Sequence, residues 1–63
     1  MTKLEKLQEI KFALNTLIAQ RHQYKQFEPN EVRLSANDEY LKLDYDLLQE
    51  VLDLIEEEKR NEI

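Results

Sequence analysis

Apolar residues recur at helical intervals along two long stretches of this chain, and the rhythm falters between them. In the first stretch Leu7, Ile10, Leu14, Leu17, Arg21 and Tyr24 follow alternating steps of three and four, with Leu4 and Ile18 beside them. Such steps gather side chains on one face of an α-helix, here over residues 2–27. Thr2 followed by Glu5 matches a capping box, in which the hydroxyl takes an amide of the first turn. Pro29 sets the end, because the residue before a proline avoids helical dihedrals. The second stretch predicts a helix over about residues 45–60. Leu47, Leu48, Val51, Leu52, Leu54 and Ile55 share its apolar side, and Asp46, Gln49, Glu50, Asp53 and Glu57 take the other. Asp44 is the expected N-cap, and Lys59 and Arg60 suit the carbonyl end.

Residues 31–43 admit two readings. In the first, Val32–Ala36 pairs with Glu39–Leu43 around an Asn37-Asp38 turn, since these two residue types tolerate the positive φ that tight turns require. Leu34 then faces Leu41 and Val32 faces Leu43 on one side of the ribbon, against one like-charge pair, Arg33 with Lys42. In the second, a helix starts at Ser35 and runs to about Asn61, giving an all-α helical hairpin that assembles into a bundle. That helix leaves Leu43 off the apolar stripe and places three aspartates in its interior, where they are poor formers. The pattern therefore favours an α+β fold: one α-β-β-α domain over residues 1–63, with the short antiparallel hairpin at 31–43.

Composition narrows what such a domain can do. A chain of 63 residues forms one domain and buries only about 60% of its unfolded surface, so it needs outside support. No cysteine is present, which excludes disulfides and thiolate metal sites, and the one histidine, His22, cannot build a metal centre alone. No metal or cofactor is expected, and self-association, as a homodimer, is the stabiliser left over. There is no glycine for a phosphate-cradling loop, and Ser35 is the only serine, so an enzyme is not expected. His22 beside Tyr24 or Glu28 could act as a base, but it reads more simply as a surface histidine. No apolar run approaches the roughly 20 residues that span a bilayer, and the start of the chain lacks a signal-peptide core. The expectation is a soluble, cytoplasmic protein.

Charge is distributed unevenly. Residues 1–27 carry five basic and two acidic side chains, and residues 28–63 carry four basic and twelve acidic, so the halves can attract each other. The net charge of −5 argues against nucleic acid as the main ligand. Asp46, Glu50, Asp53 and Glu57 form a carboxylate ladder, a candidate for docking on the basic patch of another protein. Gln8, Phe12, Asn15 and Ala19 form an almost uncharged, aromatic-anchored side of the first helix, a candidate for self-association. The expected function is a non-enzymatic module that binds and modulates, or inhibits, another protein. A structural subunit of a helical oligomer and an acidic mimic that competes for a nucleic-acid-binding cleft are the alternatives. In composition, though not in any motif, the chain is similar to many small bacteriophage and mobile-element proteins that act by binding a host factor.

Overall fold

The computed structural model describes residues 1–61. It contains two helices, α1 (Lys3–Phe27) and α2 (Glu31–Asn61), joined by Glu28, Pro29 and Asn30. The pairs Lys3–Glu58, Arg21–Asp44 and Lys25–Asp38 link early residues of one helix to late residues of the other, so the helices are antiparallel. The result is a rod of 50 × 17 × 13 Å.

Each end of α1 forms as its sequence dictates. The Glu5 amide donates to Thr2 Oγ1 at 3.1 Å, and the same hydroxyl donates to the Glu5 carboxylate at 3.2 Å. At the other end Glu28 is extended, as a residue before proline must be, and its amide closes on the Tyr24 carbonyl at 3.1 Å. The chain turns at once into α2, because Asn30 caps it. Asn30 Oδ1 accepts from the amides of Val32, at 2.9 Å, and Arg33, at 3.1 Å.

The α-β-β-α expectation is therefore corrected. The described residues are 92% helical and contain no strand, and 31–43 is the N-terminal part of α2. The helix also begins at Glu31, before the Ser35 start of the rival reading, and Asp44 lies mid-helix where an N-cap was expected. The physical reason lies in α1. Asn37, placed by the sequence in a β-turn, is buried and donates from Nδ2 to the Arg21 carbonyl at 3.0 Å. Asp38 reaches Lys25 at 2.9 Å, and Asp44 pairs with the Arg21 guanidinium. Three residues with weak helix propensity are thus held in helical geometry by tertiary partners. A two-stranded ribbon would have lacked that support, being marginal without a third strand.

The core is thin. Leu7, Leu14, Val51 and Ile55 form its centre, with Leu4 and Leu48 packed against it, and Ile18 and Leu41 are buried nearer the loop. No large side chain among the described residues is fully enclosed. Ile10, Leu17 and Leu47, which the sequence places in this core, lie instead at its edge and are exposed.

Candidate interaction surfaces

Successive residues of an α-helix are turned by about 100°, so each helix of the hairpin presents three sides besides the one that meets its mate. Three of the surfaces so formed have distinct chemistry.

The outer side of α2, opposite α1, carries the carboxylate ladder. Asp46, Glu50, Asp53 and Glu57 are all exposed, and no ion pair among the described residues engages any of them. The one contact is within the helix, from Gln49 Nε2 to Asp53 Oδ1 at 3.1 Å. The structure thus brings these four together as the spacing indicated. Gln8, Phe12, Asn15 and Ala19 likewise share a side of α1, and all are exposed. Phe12 is 75% exposed and lines a shallow recess of α1 with Glu5, Gln8 and Glu9.

A third surface escapes the single-helix reading because each helix supplies half of it. Ile10, Leu17 and Tyr24 recur every seven residues along one flank of α1. Tyr40, Leu43, Leu47 and Leu54 follow steps of three, four and seven along one flank of α2, with Ala36 a turn before them. The two flanks adjoin: Leu17 and Tyr24 line one open groove of about 420 Å³ together with Ala36 and Tyr40. The cross-helix ion pairs set the register, which places Ile10 level with Leu54, Leu17 with Leu47 and Tyr24 with Tyr40. All six of these side chains are exposed, as is Leu43. The opposite broad side of the hairpin is more polar, marked by the His22 ring nitrogen within 2.9 Å of the Tyr45 hydroxyl. His22 meets neither Tyr24 nor Glu28, which bond to each other.

A polar node interrupts the apolar face near the loop. The Arg21 guanidinium pairs with Asp44 and lies 4.9 Å from the centre of the Tyr40 ring, a cation–π contact. Asn37 holds the Arg21 backbone from below. No buried side-chain polar atom is left without a partner among the described residues. At the loop itself, the Tyr24 hydroxyl donates to Glu28 Oε2 at 2.7 Å and the Asn30 amide donates to Oε1 at 3.0 Å. These bonds hold the Glu28 carboxyl below its usual range and push the Tyr24 hydroxyl up.

No three metal-ligating side chains converge among the described residues, and no helix there is long and apolar enough to cross a membrane. Compared with protein-family models, curated proteins and solved structures, the chain shows no significant match.

Proposed function

We propose that this chain is a non-enzymatic interaction module that binds another protein and modulates it. The observation that supports the reading best is the apolar face built jointly by α1 and α2. Seven large side chains, Ile10, Leu17, Tyr24, Tyr40, Leu43, Leu47 and Leu54, are exposed along it, more than the six apolar residues buried in the core. Scattered exposed apolar residues are ordinary, whereas a row of seven along one side of the hairpin, interrupted by the Arg21–Asp44 node, marks a surface that is covered in use. Beside it the carboxylate ladder offers the opposite chemistry. Four carboxylates on one exposed helix side, in no ion pair among the described residues, attract a basic protein surface and orient its approach more than they add affinity.

Parallel affinity capture tests the reading, with the wild-type chain and the D46N/E50Q/D53N/E57Q variant as baits in extracts of the native host. The expected result is a protein that the wild type retains, that salt releases, and that the neutralised variant loses while its helicity by circular dichroism is unchanged. Identical captured sets for the two baits would overturn the role given to the ladder. An empty set for both would overturn the module itself.

A further inference from the structure

We propose that the apolar face is covered in solution by the same face of a second copy of this chain. The two hairpins point the same way, so that α1 of each lies over α2 of the other. This rests on the interaction-module reading and names one of its partners.

Area supplies the first argument. The chain exposes 5151 Å². A compact monomer of 7.7 kDa exposes about 4,300 Å², so the 50 × 17 × 13 Å rod carries roughly 800 Å² more than a globule would, an area of the size that one side of a standard interface buries. Burying it would complete a four-helix bundle, the usual way for two hairpins to share a core.

Register and charge then choose the arrangement. A two-fold axis parallel to the helices keeps every residue at its own height while exchanging α1 for α2. Ile10, Leu17 and Tyr24 of one copy then face Leu54, Leu47 and Tyr40 of the other, on either side of the Arg21–Asp44 node. Lys6, one turn before Ile10 on the same flank, comes beside Glu57 of the second copy, and neither has an ion-pair partner among the described residues. The opposite arrangement, with loops at opposite ends, would lay α2 on α2 and bring two acidic rims together. It would also set the Arg21–Asp44 node against the leucines of the far end, where burial of charge is costly. With the hairpins pointing the same way, node lies level with node. Asp46, Glu50, Asp53 and Phe12 stay outside the bundle, free for a further partner.

Sedimentation equilibrium of the purified chain, over micromolar to millimolar concentration, reads the mass. The expected species has twice 7.7 kDa. Leu47→Lys should weaken association about 100-fold or more, as removal of a central apolar contact does, while Phe12→Lys leaves it unchanged. Because a monomeric hairpin can lose helicity, a complementation arm does not depend on either variant folding alone. Leu17→Lys and Leu47→Glu are each weakened separately, but their mixture should recover a dimer, since the ammonium introduced in one chain then meets the carboxylate introduced in the other. A wild-type chain of monomer mass throughout overturns the second copy, and leaves the capture experiment to judge the module on its own. Loss of the dimer in Phe12→Lys but not in Leu47→Lys overturns the face. A dimer with no recovery in the mixture overturns the arrangement.

Discussion

Leu14 and Leu47 look alike in sequence, and truncating each to alanine separates the core of the hairpin from its edge. Leu14 is 8% exposed and packs with Leu7, Val51 and Ile55. Removing its three outer carbons forfeits about 2.4 kcal/mol at roughly 0.8 kcal/mol per methylene. The residual cavity adds little, because a core this thin can collapse towards the open side, so about 2–3 kcal/mol is expected, the lower part of the usual range. A chain of this length has about 3–9 kcal/mol to lose. Leu47 is 49% exposed in the single hairpin, and there Leu47→Ala should cost about 1 kcal/mol or less. Under a second copy the same side chain is covered, and its truncation should approach the cost at Leu14. Denaturant unfolding followed by circular dichroism, at two protein concentrations well apart, measures both. A change below about 0.5 kcal/mol for Leu14→Ala would refute the assignment of the core, since that is the scatter of surface substitutions. A similarly small change for Leu47→Ala at the higher concentration would refute its burial between copies.

Three further tests address how α2 is held and where it begins. Asn37→Asp keeps the shape but removes the amide that donates to the Arg21 carbonyl and buries a charge beside it; a loss of about 2 kcal/mol or more is expected in the same unfolding assay. Asn30→Ala frees the amides of Val32 and Arg33 and should cost about 1 kcal/mol, with amide exchange in the first turn of α2 rising before any global loss. The loop should also respond to pH. The Glu28 carboxyl is held below its ordinary value of 4.5 by the Tyr24 hydroxyl and then the Asn30 amide, so its contribution is complete above that value and fades as pH falls through the lowered one. Tyr24 is raised above 10.0 by the same bond, so that contribution persists below that value and fades as pH rises through the raised one. Glu28→Gln should remove this acid sensitivity, as compared by unfolding at stepped pH.

Much of α1 was legible because its evidence is local: the Thr2 cap, the three-four rhythm from Leu7 to Tyr24, and the stop before Pro29. The later part of α2, with its carboxylate ladder, was legible for the same reason. Residues 31–43 were not. Asn37, Asp38 and Asp44 carry turn and cap preferences in their own side chains, and what overrides those preferences is Arg21 and Lys25 on the other helix. A pattern that considers neighbours only therefore prefers a turn where the protein has a cross-helix hydrogen bond. Nor was the shared apolar face visible. Ile10 and Leu17 belong to the same stripe as Leu7 and Leu14, and only the width of a single partner helix shows that half the stripe is left over. The Asn30 cap is a local signal too, an asparagine two residues before the Val32 amide from which it accepts, beside the proline that stops the preceding helix.

Where the second hairpin sits is tested most directly by isotope-filtered nuclear Overhauser spectroscopy on an equal mixture of labelled and unlabelled chains. The account predicts intermolecular contacts from the Leu47 methyls to those of Leu17, and from Leu54 to Ile10, joining α2 of one copy to α1 of the other. Contacts only between Leu47 and Leu47, or no intermolecular contact at millimolar concentration, would contradict it.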